Sequence, residues 1–280
     1  MKSNSSLILG SLLCAGAMLL ATSAQAFPRG GGGGFGGERA GGTIDRSGTY
    51  SSLHRGSGTF NQFATHTPGN TTGGTTWTNA RGGTGTHSFD NTWNKSTGTG
   101  THDSSTTYAN GKTSSSQGTY TKTGAGSGDY TGTHTGVNGQ TTDVSKTVTS
   151  TNGTKTIDST YTNPTTGKSS TVDKTITNAD GSKQVDTTAT GPNGKTATSD
   201  QTYTKSNNGY TQTGTVTGPK GGTSTDNRDV TYTKDANGET TRTMTGSVTG
   251  PKGNTTPIGN TETYTKTYTP NPPPTTPPVD

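Results

Sequence analysis

Cysteine is almost missing from this chain. The single thiol, Cys14, lies in an apolar run close to the N-terminus. Beyond that run, disulfides, thiolate metal sites and cysteine nucleophiles are excluded. Hydrophobic residues make up only 20% of the 280 positions, too few to fill an ordinary core. Charged residues make up 14%, so the self-repulsion that keeps many polar chains unfolded is weak. The chain has no Ser-His-Asp signature, His-Glu-x-x-His, Walker loop or calcium loop. Its glycine run is not a phosphate cradle, because no Lys-Ser/Thr follows it. The sequence therefore reads as a non-enzyme without a cofactor.

The one apolar run, residues 7–20, follows Lys2 and precedes Ala24-Gln25-Ala26. A positive start, a short hydrophobic stretch and a small-x-small site describe a secretory signal peptide cleaved after Ala26. The run is short for a bilayer span, so no transmembrane segment is expected after its removal. This places the protein in the cell envelope, in the periplasm or on the outer surface, or outside the cell. The formal charge of +5 loses one unit with Lys2. The remaining charges are scattered, with Asp often close to Lys. That pattern reads as a solvated surface and not a nucleic-acid stripe, so no nucleic-acid partner is expected.

Threonine fills about a quarter of the chain, and it falls in a repeat. Val144-Ser-Lys146-Thr-Val148 leading to Asn152-Gly153 recurs 28 residues later as Val172-Asp-Lys174-Thr-Ile176 leading to Asp180-Gly181. Thr166-Gly167 falls midway. Asn-Gly and Asp-Gly favour two-residue hairpin loops, whose central residues need positive φ. A loop at Asn152-Gly153 sets Val148 opposite Ile157 and Val144 opposite Tyr161. A loop at Asp180-Gly181 sets Ile176 opposite Val185 and Val172 opposite Ala189. A loop at Thr166-Gly167 sets Tyr161 opposite Val172 and Ile157 opposite Ile176. Apolar residues four apart share one face of a strand. The fold expected is all-β: a repetitive antiparallel hairpin meander rich in Thr and Gly, with two unpaired edges. Disordered Gly-rich and Pro-rich segments flank it. The alternative is a largely disordered polar chain.

Five segments follow: a signal peptide (1–26), a Gly-rich linker (27–42), aromatic-containing degenerate repeats (43–110), the hairpin region (111–268) and a Pro-rich tail (269–280). The turn at Asn110-Gly111 opens the hairpin region, and Asn138-Gly139 falls within it. Asn208-Gly209, Asn237-Gly238 and two Gly-Pro-Lys-Gly turns, at 218–221 and 250–253, continue it. Val230-Thr-Tyr232-Thr-Lys234-Asp235-Ala-Asn237-Gly238 resembles the strand–turn signature of YD repeats in RHS-type bacterial surface and toxin proteins, with Lys234 at the place of the second tyrosine. Those proteins form large β-shells around cargo. This chain is too short and too polar for that, and no function carries over.

Residues 43–110 hold the candidate contacts. Trp77, Phe89 and Trp93 are candidates for an aromatic platform that binds a sugar or another polymer; the alternative is that they pack the segment together. His66, His87, His102 and His134 recur in related tetrapeptides. They would bind a metal such as zinc only by stacking on one face, and no motif supports that. The sequence reads first as a structural or interaction protein that associates with itself or with envelope or extracellular polymers. A carbohydrate- or polymer-binding surface module is the second reading. Ice binding through Thr-x-Thr arrays is a third, weakened by the absence of a rigid flat scaffold.

Overall fold

The computed structural model describes residues 41–52 and 56–270. The signal peptide with its cleavage site after Ala26, the Gly-rich linker up to residue 40 and the proline tail from residue 271 lie outside these residues.

Strand follows strand throughout. The first six are β1 (Gly42–Ser52), β2 (Gly56–Thr67), β3 (Asn70–Thr78), β4 (Thr84–Thr92), β5 (Thr99–Thr107) and β6 (Thr113–Gly124). Next come β7 (Ser127–Thr135), β8 (Thr141–Thr151), β9 (Thr154–Thr162), β10 (Ser169–Ala179) and β11 (Ser182–Thr190). The last five are β12 (Thr196–Ser206), β13 (Gly209–Thr217), β14 (Thr223–Lys234), β15 (Thr240–Thr249) and β16 (Thr255–Pro270). Each pairs antiparallel with its sequence neighbours, and β1 pairs with β16 from Gly42↔Pro270 to Ser52↔Asn260. The meander thus closes into a barrel, and closure removes both of the free edges expected from the sequence. Following directly opposed residues once around returns to β1 about 20 positions from the start, a stagger that tilts the strands by roughly 40°. Sixteen such strands, about 4.8 Å apart, make a barrel roughly 30 Å across.

The hairpins at Asn152-Gly153 and Asp180-Gly181 have the expected register. Val148 opposes Ile157, Val144 opposes Tyr161, Ile176 opposes Val185 and Val172 opposes Ala189. Asn152 and Gly153 have φ of 49° and 80°, as a two-residue loop of this hand requires. The hairpin around Thr166-Gly167 differs. Asn163 accepts the amides of Thr165 and Thr166 on its side chain, while its own amide donates to the Lys168 carbonyl. Pro164 has no amide to offer a ladder. The turn therefore runs from Asn163 to Lys168, and the pairing slips by two residues. Tyr161 meets Ser170, and Val172 meets Ser159. An even slip leaves every side chain on its original face. The turn expected at Asn208-Gly209 also moves: Gly209 pairs with Ser206 inside β13, leaving Asn207 and Asn208 as the loop. The expected tail loses its first two residues to β16, where Thr269 and Pro270 pair with Thr43 and Gly42.

The two faces of the wall differ in chemistry. Along β1, β4 and β12 covered residues alternate with exposed ones, and the crowding of side chains on the concave side of a closed barrel assigns the covered set to the inner face. Every Val, Ile and Met of the strands points inward, together with all their aromatic rings except Phe63. The outer face is mainly Thr and Ser, linked across strands by hydroxyl pairs such as Thr43–Thr65 at 2.9 Å and Thr249–Thr255 at 2.8 Å. It lacks the apolar band and aromatic girdles with which membrane barrels meet lipid. No helix among the described residues is long and apolar enough to cross a membrane.

Among the described residues only Val144, Ala197 and Val230 are buried hydrophobics, and each strand contacts only its two sheet neighbours. With so few buried apolar side chains, the interior is not a packed hydrophobic core. The wall is held by its ladder hydrogen bonds and by cross-strand pairs along each face.

Candidate functional site

The lumen wall is the site that the fold assembles. On the sheet, Asp and Lys that are close in sequence separate cleanly. Asp143 and Lys146, Lys155 and Asp158, Asp173 and Lys174, and Lys183 and Asp186 are all an odd number of residues apart, and a strand sends odd separations to opposite faces. Among the described strands, every charged residue on the outer face is an aspartate. Every Lys and Arg points inward. The scattered, solvated charge pattern expected from the sequence is therefore corrected: the wall is cationic inside and anionic outside. Asp90 and Asp103, Asp158 and Asp173, and Asp186 and Asp200 even stand directly opposite one another on the outside. Such like-charge pairs cost stability and need a reason other than packing. The odd spacing of Asp from Lys is the sequence signal of this sorting.

The inner face carries two carboxylates, and both are matched. Asp226 pairs with Arg228 at 2.9 Å, and Glu262 pairs with Arg46 at 3.1 Å. Arg46 also lies 3.6 Å over the Tyr264 ring. Burial opposes the charge on Arg242, but hydrogen bonds to Tyr210 and Tyr232 and the Glu262 carboxylate more than offset it and raise its pKa. Burial lowers the pKa of Lys146 and Lys174, and Lys174 is lowered further by the charges of Lys183 and Lys146. Six more cations, Arg81, Lys112, Lys168, Lys195, Lys220 and Lys252, ring one mouth of the barrel. They sit on the turns opposite the end where β1 starts and β16 finishes.

Trp77, Phe89 and Trp93 all face the lumen. Each ring leans onto the glycine directly across from it, respectively Gly85, Gly73 and Gly100. A Cβ on Gly73 would stand 2.5 Å from Phe89 Cζ, so only glycine admits the ring. The three rings therefore line neighbouring strands of the wall and do not converge on one another. Trp93 lies 5.8 Å from Tyr120, and Phe89 lies 6.2 Å from His87. The in-strand glycines are the sequence signal for this arrangement.

His66, His87, His102 and His134 also share the inner face. His87 Nδ1 lies 2.9 Å from the Thr106 hydroxyl, and His102 Nδ1 lies 2.6 Å from Asn91 Oδ1. No group of three His, Cys, Asp or Glu that would hold a metal occurs among the described residues. Burial lowers the pKa of His87, His102 and His134 below the ordinary 6.5. The unfolded chain therefore takes up protons first. Stability present above pH 6.5 falls as acid is added through the window between 6.5 and the lowered values. The melting temperature is expected to drop as the pH is taken below about 6.5. That drop should be smaller in a His87→Gln/His102→Gln/His134→Gln variant, as differential scanning calorimetry would show.

Two shallow depressions accompany the lumen. One, of about 400 Å³, is lined by Tyr50, Gly58 and Thr261 among others; one of about 200 Å³ lies beside Trp93 and Gly100. Both are open and mostly hydroxyl-lined, without the enclosure that shifts pKa values for catalysis. No family model matches the chain, and no curated protein or solved structure is significantly similar to it.

Proposed function

We propose that this protein is an exported, non-enzymatic interaction module of the cell envelope or exterior that engages an acidic extracellular polysaccharide through its lumen. The observation that carries this reading is the sorting of charge by face, with Lys and Arg inside and Asp outside. A low-dielectric wall with cations on its inner side focuses field into the lumen and draws in anions, while an anionic outer wall repels them. The ring of cations at one mouth serves as the entrance. The aromatic rings of the wall add sequence-tolerant contact with sugar faces. Self-association through sheet edges plays no part, since the barrel has no edge to offer. Nucleic acid is not a partner in this reading, which places the protein outside the cytoplasm.

The test is co-sedimentation or calorimetry of the mature chain with a polyuronate and with neutral dextran. The polyuronate should bind and lose about tenfold in affinity between roughly 50 and 300 mM salt; equal binding of both polymers would remove the electrostatic basis. A second reading, a neutral-glycan module, draws on Trp77, Phe89 and Trp93, which present their rings on the lumen wall. It requires dextran binding that a Trp77→Ala/Trp93→Ala variant loses.

A further inference from the structure

The basic residues of the inner wall change type from strand to strand. We infer that the inward histidines are its acid-responsive part: on acidification they carry the cationic lining across strands that otherwise lack one, and the lumen then holds an anionic polymer more tightly. This rests on the lumen reading above and adds its regulation.

β1, β6, β8 to β12 and β14 to β16 each bring a Lys or Arg to the inner face. β2, β3, β4, β5, β7 and β13 bring none. Histidine stands inward on four of those six: His66 on β2, His87 on β4, His102 on β5 and His134 on β7. None of the described strands carries both a histidine and a Lys or Arg. β2 to β5 are consecutive in the wall, so the stretch without Lys or Arg is one continuous arc. The hydrogen bonds of His87 to Thr106 and of His102 to Asn91 do not by themselves call for imidazole. Glutamine makes such bonds without gaining charge in acid.

Few other groups face these rings. β1 presents Arg46 beside β2, and β3 presents no titratable side chain. β6 presents Tyr120 and Lys122, β7 presents Tyr130, and β8 presents Lys146. The carboxylates of Asp45, Asp90, Asp103, Asp129 and Asp143 stand on the outer side of the same strands. Burial raises both tyrosines above the ordinary 10.0, so they stay neutral where histidine titrates. Tyr130 leans onto Gly118, the residue opposite His102, and Lys146 Nζ lies 5.5 Å from its ring. A protonated His102 thus extends the cationic lining from β8 towards β5. Burial lowers the pKa of His102; Asp103 opposes this, and the charges of His87 and Lys146 add to it. An anion in the lumen favours the imidazolium and reverses the balance. The bound state then holds more protons than the free one, so affinity rises as the pH falls below 6.5 towards the lowered values. At His102, Nδ1 donates to Asn91 Oδ1, so Nε2 is the nitrogen that gains the proton.

The test is calorimetric titration of the mature chain with a polyuronate at about pH 7.5 and about pH 5.5, at constant ionic strength, since carboxylates keep their charge across this range. Long-chain inorganic polyphosphate is titrated in parallel, and circular dichroism checks the fold at each pH. Binding is expected to be about tenfold tighter at the lower pH. Buffers of different ionisation enthalpy should show uptake of about one proton on binding near pH 6.5, where the barrel is folded. In His87→Gln/His102→Gln/His134→Gln the affinity should change by less than about twofold between the two pH values, with no proton uptake. Equal affinity at both without proton uptake, or an acid gain that the histidine variant retains, overturns the inference. Polyuronate bound equally at both leaves the polysaccharide reading standing without this regulation. Polyphosphate bound with the acid gain while polyuronate fails removes the polysaccharide reading and keeps the role of the histidines. Binding of neither polymer removes both.

Discussion

Gly48→Val is expected to open the barrel along the seam between its first and last strands. Gly48 faces Tyr264 of β16 on one side and Phe60 of β2 on the other. A Cβ at this position would overlap the Thr263 carbonyl oxygen and stand 2.8 Å from Tyr264 Cα. These are backbone atoms and cannot rotate away, so β16 must move. The loss should be about 3 kcal/mol or more, at the upper end of overpacking costs. Displacing β16 also frees two long strand edges, each a template for pairing with another chain. The variant should therefore elute larger than the parent on size exclusion and unfold at lower urea. Gly82→Ala provides the scale. Gly82 has φ of 75° and open space around it, so the substitution costs only backbone strain, about 1–2 kcal/mol. If Gly48→Val keeps the parent's size and loses no more stability than Gly82→Ala, closure through β1 and β16 is wrong.

Glu262→Gln should be nearly as damaging, for an electrostatic reason at the same seam. The carboxylate of Glu262 lies 3.1 Å from Arg46, both side chains being 14% exposed, and stands directly opposite Arg242. One anion thus serves two inward guanidinium groups. Removing it leaves both without a counter-charge on a partly desolvated wall, at a cost of about 3 kcal/mol. The gain from the pair itself is smaller than this, since much of the loss is the penalty of the stranded cations. Arg46→Met in the Glu262→Gln background should therefore recover part of the stability, because it removes one of the two. High salt should narrow the gap between parent and Glu262→Gln. A Glu262→Gln variant whose urea midpoint matches the parent would show that the two arginines find their compensation in water and tyrosine hydroxyls.

Both predictions concern a contact that no local pattern in the sequence announces. Gly48 and Tyr264 are far apart along the chain, and neither belongs to a turn motif. Hairpins were legible because their signals are short-range: Asn152-Gly153 dictates a loop, the loop dictates a register, and the register brought Val148 to Ile157. The hairpin at Asn163–Lys168 departs from the expected register because a side chain overrides the glycine. Asn163 folds back on the amides after it and sets a longer turn than Thr166-Gly167 alone implies. The aromatic residues were legible as a group but not as an arrangement, because their positions depend on glycines across a strand pair.

The sequence by itself determined the strands, most of the turns and the face to which each side chain belongs, since all three follow from alternation and from backbone preferences within a few residues. It determined the sorting of charge as well, through the odd spacing of Asp from Lys. Only the tertiary structure decided which face became an interior. A meander of polar hairpins has two sides until its ends meet, and the meeting of β1 with β16 depends on twist and stagger summed over every strand. That sum is a property of the whole sheet, and it alone turned a row of lysines on one side of a ribbon into the lining of a lumen.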